Sequence, residues 1–199
     1  MKPIRWIIPV CLLGWSGCIS MPKQLPAEYF QPKRMMTIEV TNRALKPTLQ
    51  TDQPVGNLAG VTWLVREEAM KNRMAGISPG MIQQAVEKEL AKQLRDTFTI
   101  ADGQAQLALK VSIDEWGWSV PTGKYGESTD RHSFRIGGTA SIIDLDPAKN
   151  GAQVYFTYNS TDTPLGDHLT KEKCEAALPK AAEDFAAQIV RFILKGKPQ

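Results

Sequence analysis

The clearest pattern in the chain is an apolar residue at every fourth position from 82 to 94. These residues are Ile82, Val86, Leu90 and Leu94, and polar side chains dominate the positions between them. Such spacing places one apolar stripe along an α-helix. Ser78 is a favourable N-cap and Pro79 fits the first helical position. The pattern predicts an amphipathic helix of about five turns that begins at Pro79.

A different periodicity follows between residues 107 and 120. Apolar residues alternate with smaller or polar ones up to Ile113, which is typical of a strand with one buried face. After Ile113 the alternation shifts by one residue and continues through Trp116, Trp118 and Val120. A shift of one residue within a strand is what a β-bulge produces, so the pattern predicts a bulged strand.

Shorter patterns predict the remaining strands. "MMTIEVT", residues 35–41, is β-prone, whereas residues 42–60 contain prolines and glycines typical of a loop. Residues 61–74 are predicted as a short strand that runs into a helical turn. Residues 132–145 alternate again, and "DPAKNG" predicts a hairpin turn before the returning strand "QVYFTYNST".

The C-terminal region contains the second apolar stripe. Thr170 is predicted to start a short helix and Pro179 a longer one, whose stripe is Ala182, Phe185, Ile189 and Phe192. The predicted order is β-α-β-β-β-α. Because each of the two amphipathic helices must bury its stripe, we expect both to pack on one face of a mixed, mainly antiparallel sheet. The sequence thus predicts a two-layer α+β sandwich.

Composition suits a globular domain without a strong charge. Of the 199 residues, 42% are hydrophobic, and the formal net charge is +3. A chain of this size can bury roughly two thirds of its unfolded surface in one core. The small net charge argues against nucleic acid as a partner.

The first seventeen residues have the layout of a secretory signal. Lys2 and Arg5 form a positive start, residues 6–15 are uncharged and mostly apolar, and two small residues follow. The apolar stretch is shorter than the ~20 residues that a transmembrane helix needs. We therefore expect export of the protein and removal of residues 1–17.

The signal ends directly on Cys18. The stretch Ser16, Gly17, Cys18 resembles the lipobox of bacterial lipoproteins, in which the cysteine thiol receives a diacylglycerol, the chain is cut before it, and the new amine is acylated. The resemblance implies a durable lipid anchor, since two or three acyl chains hold firmly. Ile19, in place of Asp, implies sorting to the outer membrane. The alternative is an ordinary signal peptide with an incidental cysteine.

Processing would change the charge and the cysteine content. Loss of the first 17 of 199 residues leaves 182, and the loss of Lys2 and Arg5 takes the net charge from +3 to +1. Cys11 would leave and Cys18 would be acylated, so Cys174 could form no internal disulfide. We expect Cys174 to be a half-buried helix residue rather than a reactive thiol.

The chain is predicted to have three parts. Residues 1–17 are the signal peptide, residues 18–34 a lipidated tether, and residues 35–199 a single α/β envelope domain. The tether contains three prolines, which favour an extended chain. An alternative for its second half is an arm packed on the domain, because of Tyr29 and Phe30.

The predicted order behind a lipid-modified cysteine resembles a group of bacterial envelope lipoproteins. The group includes the LPS-assembly lipoprotein, the YajG-type lipoproteins and the auxiliary lipoproteins of ABC-type lipid transport. The likeness spans residues 35–195 and rests on the helix start at residues 78–80 and on the alternating strand. It implies a location at the periplasmic face of the outer membrane.

One region is the candidate for a binding contact. Trp116 and Trp118 share a strand face beside the predicted bulge, and positive side chains, including His132, flank the loop beyond. Bulges, long loops, and aromatic and Arg side chains are frequent at interfaces. The predicted contact residues are Trp116, Trp118, Tyr125, Arg131 and Arg135. The alternative is that both tryptophans complete the core.

No motif specifies a reaction. His132 and His168 lack the spacing of metal ligands. "DLDPAKNG" lacks the third acidic ligand and the distal Glu of a calcium loop. "SMPK", residues 20–23, matches S-x-x-K without its partner motifs. We expect no catalytic residues, no metal and no cofactor.

These observations favour a non-enzymatic outer-membrane lipoprotein that acts as an accessory or assembly subunit of an envelope complex. Its partners would be the membrane, through the N-terminal lipid, and an envelope protein. The alternative is a module that binds or carries a lipid or glycan, with Phe134, Trp116 and Trp118 lining a cleft.

Overall fold

A computed structural model describes residues 24–30, 32–51, 68, 71–120, 132–166, 170–195 and 197. Within these residues, the main elements are a mixed six-stranded sheet and two long helices. The strands are β1 (Met35–Asn42), β2 (Thr48–Thr51), β3 (Thr99–Ile100), β4 (Leu107–Val120), β5 (His132–Asp144) and β6 (Gln153–Gly166). The helices are α1 (Pro79–Leu94) and α2 (Lys171–Leu194). The strands are arranged β3-β1-β4-β5-β6, and β2 pairs with β4 beyond the end of β1.

The predicted element order is wrong in two places. Among the elements whose bounds are described, the order is β-β-α-β-β-β-β-α, because β2 and β3 were not predicted. Residues 71–73 are helical too, as predicted for the end of residues 61–74, whereas residues 61–67 lie outside the described residues. β2 lies within residues 42–60, which were predicted as a loop, and it is a strand through its pairing with residues 117–120 of β4. Strands of four and two residues are too short to show a period of their own.

The predicted mixed sheet is confirmed, but its mainly antiparallel character is not, because three of the five strand pairings in the described residues are parallel. β1 runs parallel to β3 and to β4, and β2 runs parallel to β4. The β4/β5 and β5/β6 pairs are antiparallel. The sheet is therefore mixed. β1 and β4 are parallel because α1 lies between them in the chain, and a helical crossover returns the chain in the same direction.

Both helices pack against the sheet and against each other. α1 lies against β1, and α2 lies against β5 and β6. The predicted α1 stripe is confirmed, since Ile82, Val86, Leu90 and Leu94 are all fully buried. The predicted start of α1 is confirmed as well, because the Ser78 hydroxyl accepts a hydrogen bond from the Met81 amide at 3.2 Å.

The predicted bulge in β4 is confirmed. Ile113 pairs with Gly138, but Glu115 pairs with Gly137, so Asp114 is the extra residue. The buried positions consequently change phase, and Trp116 and Trp118 point to the same side as Ile113. Just beyond, Gly117 has a φ of 152°, and a side chain there would collide with the backbone of Thr48. Glycine at this position lets β2 approach β4.

The hairpin between β5 and β6 is confirmed, with a turn at residues 145–152. Asp146 accepts a hydrogen bond from the Ala148 amide at 2.9 Å. Asn150 and Gly151 then adopt φ values of 52° and 69°. Asn and Gly tolerate this left-handed conformation better than other residues, which is why this sequence forms the turn.

α2 is one continuous helix, so the prediction of two helices divided at Pro179 is wrong. Thr170 is the N-cap, and its hydroxyl accepts a hydrogen bond from the Lys173 amide at 3.2 Å. Pro179 lies inside the helix. A buried apolar stripe continues across the proline from Cys174 and Leu178 to Phe185. Tertiary packing of this stripe outweighs the cost of a proline in a helix. Burial raises the pKa of the Cys174 thiol.

The second half of the predicted tether packs on the domain, which is the alternative that the sequence left open. Leu25, Tyr29 and Phe30 are buried in the core. The Tyr29 hydroxyl donates a hydrogen bond to the fully buried carboxylate of Asp144 at 2.8 Å. The Phe30 and Phe98 rings are 5.9 Å apart. Residues 24–30 therefore form a fixed arm, whereas the signal peptide and Cys18 lie outside the described residues.

Within the part of the chain that the structure describes, no helix combines the length and the apolar character needed to cross a bilayer.

Candidate functional site

The face of the sheet opposite α1 and α2 is the candidate site, and we call it the open face. No described helix covers it. The strand register aligns two rows of side chains across β1, β4, β5 and β6. One row is Glu39, Lys110, Ser141 and Phe156, and the other is Thr41, Ser112, Thr139 and Tyr158.

Aromatic side chains lie at the β6 end of both rows. Phe156 is 41% exposed and Tyr158 is 54% exposed. A phenol or phenyl ring held on a strand offers a large contact area with few rotatable bonds. These rings are thus suited to contact a partner or a ligand.

Hydroxyl and charged groups line the middle of the open face. A shallow groove of about 290 Å³ runs between β1, β4 and β5. Thr41, Ser112, Thr139 and Ser141 contribute to its lining, together with the ion pair of Lys110 and Glu39 at 3.2 Å. The groove is therefore polar and offers both hydrogen-bond donors and acceptors.

Arg135 is the centre of a charged network beside the aromatic residues. Its Nε donates to Glu115 Oε1 at 3.1 Å, and its Nη1 donates to Asp162 Oδ2 at 3.0 Å. The Tyr158 hydroxyl donates to the same Glu115 oxygen at 3.0 Å. The network joins three strands and fixes the direction of the guanidinium group.

The protonation states of this network follow from its contacts. Partial burial opposes the charged form of Arg135, but the hydrogen bond to Glu115 and the charge of Asp162 outweigh it and raise its pKa. Burial, together with the hydrogen bond to Glu115, raises the pKa of Tyr158. Arg135 is therefore charged and Tyr158 is a hydrogen-bond donor at neutral pH.

Gly137 makes room for the network. Gly137 is the cross-strand partner of Glu115, and a side chain at this position would collide with the Glu115 carboxylate. The missing Cβ lets Glu115 lie flat across β5 toward Tyr158 and Arg135.

The structure separates the predicted contact residues. Trp116 and Trp118 are 1% and 4% exposed and lie on the helix side of the sheet. They therefore belong to the core, which was the alternative to a contact role. Trp116 Nε1 donates to the Ala44 carbonyl at 2.7 Å, and Trp118 Nε1 donates to His132 Nδ1 at 3.0 Å. Arg135 lies on the open face instead.

Three other predicted site residues, Cys18, Tyr125 and Arg131, lie outside the described residues, and their roles stay predictions. Phe134, predicted to line a cleft, is fully buried in the core. His168 is also outside the described residues. In the ranges that the structure does describe, no group of three His, Cys, Asp or Glu side chains could hold a metal ion.

Most of the open face was not predicted from the sequence. Phe156 and Tyr158 alternate with Tyr155 and Thr157, so β6 carries aromatic residues on both of its faces. In the described part of the chain, helices cover one face of the sheet only, so aromatic residues on both faces of β6 indicate that some of them are exposed. That signal could have identified the site before the structure did.

The network should contribute measurably to stability. Replacing Glu115 by alanine is expected to lower the free energy of unfolding by about 1 kcal/mol, because Arg135 loses one partner and Tyr158 loses its acceptor. The control is Lys110→Ala, whose ion pair with Glu39 is half exposed and should be worth less than about 0.5 kcal/mol. Urea unfolding followed by tryptophan fluorescence measures both, and equal losses would contradict the prediction.

This chain resembles known proteins only in its overall structure, and only at low sequence identity. No protein-family model and no curated protein matches the chain. A DUF330-family protein from Xanthomonas campestris has a TM-score of 0.49 at 10% identity, covering 86% of this chain and 90% of that chain. A minor lipoprotein from Acinetobacter baumannii has a TM-score of 0.42 at 14% identity, covering 79% and 89%.

Both TM-scores lie below 0.5, so these neighbours carry no argument about function. The predicted likeness to the LPS-assembly and YajG-type lipoproteins stays a prediction.

Proposed function

We propose that this chain is a non-enzymatic, lipid-anchored accessory subunit of a bacterial envelope complex, and that its open face binds the partner protein. The observation that carries the proposal is the pairing of exposed aromatic side chains with a guanidinium group held by two carboxylates. Aromatic and Arg side chains are the most frequent energetic anchors of interfaces. Because Arg135 is already positioned, binding would cost little side-chain entropy.

The anchor would keep the open face near the membrane. The lipid-bearing residue would be Cys18, and the chain is packed on the domain from Leu25 onward. Leu25 is seven residues after Cys18, so at about 3.6 Å per residue the two are roughly 25 Å apart at most. A partner would therefore be met close to the lipid surface. We place this surface at the periplasmic face of the outer membrane, in keeping with Ile19 after Cys18.

The polar groove supports the alternative function, binding of a glycan. Its hydroxyl side chains could bond to the hydroxyls of a sugar, and Tyr158 lies at the end of the same row. The lipid-binding variant of this alternative has less support, because Trp116, Trp118 and Phe134 pack into the core.

The anchor is tested with Cys18→Ser in the natural host. Wild-type protein is expected in the membrane fraction, with a diacylated N-terminal cysteine in its mass spectrum. Without acyl chains the variant should lose nearly all membrane association. Cys11→Ser, within the same signal, is the matched control and should remain membrane-bound. An unmodified thiol at Cys18 in wild-type protein would contradict the proposal.

Docking is tested by photo-crosslinking in intact cells. A photoreactive residue in place of Lys110 lies on the open face, and one in place of Ala187 lies on the exposed side of α2. We expect one envelope protein to be captured from position 110 and not from 187, and the product to weaken when Arg135→Ala is added. Equal capture from both positions would overturn the docking surface, and a glycan adduct at position 110 would favour the alternative.

A further inference from the structure

The arm packs at one end of the sheet. Met36 at the start of β1 pairs with Leu107 at the start of β4, and Leu107 pairs with Asp144 at the end of β5. The arm reaches the same end, because the Tyr29 hydroxyl donates to Asp144. We define the arm end as residues 24–30, 32–36, 95–107, 144–152, 191–195 and 197.

Both helices finish at the arm end. Lys33 Nζ donates to the Arg95 carbonyl at 2.7 Å, which ties the arm to the C-terminus of α1. Lys197 Nζ donates to the Thr97 hydroxyl at 3.4 Å, which brings the C-terminus of α2 to the same place. Both acceptors are uncharged, so neither hydrogen bond cancels the charge of its lysine.

The charges of the domain are distributed unevenly. Basic side chains outnumber acidic ones at the arm end, whereas the two are equal in number over the rest of the described chain. Moreover, Asp144 is fully buried, and the carboxylate lies 3.0 Å from Lys149 Nζ. The surface that the arm end presents to its surroundings is therefore more basic than the remainder of the described domain.

Exposed apolar side chains accompany these charges beside the hairpin turn. Met35 is 41% exposed and Leu145 is 42% exposed. The two lie on either side of Gln106, whose amide donates to the Met35 carbonyl at 3.0 Å and whose carbonyl accepts from the Leu145 amide at 2.8 Å. They thus form one small apolar patch that no charged side chain interrupts.

The last turn of α2 has the same mixed character. Phe192 and Leu194 line a hollow of about 470 Å³ together with Arg191 and Lys195. Long basic side chains can lay their apolar stems along such a surface while their charged ends remain in water. Apolar side chains bordered by Lys and Arg are typical of protein surfaces that lie in the headgroup region of a membrane.

The position of the anchor favours a membrane as the occupant of this surface. The chain leaves the domain at the arm end, and Leu25 lies within roughly 25 Å of Cys18. Asn42, at the other end of β1, is about 23 Å further along the strand from Met35, at about 3.3 Å per residue. The arm end is therefore the end that the lipid holds nearest to the bilayer.

We propose that the arm end rests on the leaflet that holds the lipid of Cys18, with Met35 and Leu145 among the headgroups and Lys195 beside lipid phosphates. This inference rests on the lipid anchor proposed above and goes beyond it by giving the domain an orientation. Because β1 and β4 begin at the arm end and β5 finishes there, the open face would stand upright on the membrane. It would then meet a partner held beside it in the same membrane.

The orientation is tested with acylated full-length protein reconstituted in vesicles of phosphatidylethanolamine and phosphatidylglycerol. Leu145→Cys carries a fluorophore at the arm end, and Leu45→Cys is the matched control, at a leucine 77% exposed beyond the other end of β1. Cys174 is buried and is not expected to be labelled. Lipids with a nitroxide on the headgroup should quench the label at position 145 several-fold more strongly than the label at position 45. Equal quenching at both positions would overturn the orientation.

The contribution of charge is tested in the same vesicles. Lys195→Glu should lower the quenching at position 145 about twofold, and so should omission of phosphatidylglycerol, because basic side chains are attracted to anionic lipid. Lys88→Glu makes the same change on an exposed part of α1 outside the arm end and should have no effect. Quenching that ignored both Lys195→Glu and the lipid composition would overturn the proposed contact with phosphates.

Failure of the anchor and failure of the orientation give different results. Protein that carries no acyl chain and does not bind the vesicles would overturn both. Acylated, vesicle-bound protein without preferential quenching at position 145 would overturn the orientation alone. Capture of an envelope protein from position 110 tests the accessory function separately in either case.

Discussion

Replacing Phe185 by alanine is expected to lower the free energy of unfolding by about 3–5 kcal/mol. Phe185 is fully buried on the side of α2 that faces the sheet. Its neighbours on that side of the helix, Ala181, Ala182 and Ala186, are equally buried. Alanine side chains are too short to fill the space that the ring leaves, so the cavity would remain open. The free energy of unfolding would therefore fall by the full cost of the cavity.

Phe156→Ala is the matched control, since it removes the same atoms from the open face. Phe156 is 41% exposed, so its loss should cost less than about 1 kcal/mol. Urea unfolding curves for both variants measure the difference. If the two losses were equal, α2 would not be packed on the sheet as described.

Replacing Asp144 by asparagine is expected to cost about 2 kcal/mol at neutral pH. One carboxylate oxygen accepts from the Tyr29 hydroxyl at 2.8 Å and lies 3.0 Å from Lys149 Nζ. The other accepts from the Asp146 amide at 3.0 Å. An asparagine has only one acceptor oxygen, so in either orientation of the amide its NH₂ group would face at least one donor in a buried site. The arm from Leu25 to Phe30 should loosen as a result.

The cost of Asp144→Asn should depend on pH with a definite sign. Burial opposes ionisation of Asp144, but the Asp146 amide, Lys149 and Tyr29 together hold its pKa below the ordinary value of 3.8. A lowered pKa contributes stability above the unfolded-state value and loses it as the pH falls through the folded-state value. The difference between wild type and variant should therefore be constant from neutral pH down to about 5 and shrink below about 4.

Asp146→Asn is the control for this prediction. The Asp146 side chain caps the turn through the Ala148 amide and is exposed. Asparagine caps nearly as well as aspartate, so little change is expected at any pH. A loss for Asp144→Asn that did not shrink in acid would show that the ionised carboxylate is not the source of the stability.

Local patterns were sufficient for the elements whose side chains alternate clearly between core and solvent. The α1 stripe, the bulge after Ile113 and the turn around Asn150 were all predicted correctly. Each depends on residues close together in the chain. The periodicity of a helix or strand is imposed by its own geometry, so a run of a dozen residues is enough to reveal it.

Strand pairing and strand direction could not be predicted from such local patterns. β2 is a strand only because β4 extends past β1 and accepts it beside Gly117. α2 continues through Pro179 because the sheet buries its apolar side on both sides of the proline. Likewise, the open-face network unites Glu115, Arg135 and Asp162 from three strands, and no short window of sequence contains all three.

By itself, the sequence determined the longer helical and extended segments and most of the side chains in them that need burial, and it is the sole basis for expecting a lipid on Cys18. Only the tertiary structure decided that Trp116 and Trp118 are core, that Arg135 lies on the opposite face, and that β6 is left at an edge. The reason is physical: periodicity records how each element meets the core, whereas strand order and the two faces of a sheet arise from contacts between residues far apart in the chain.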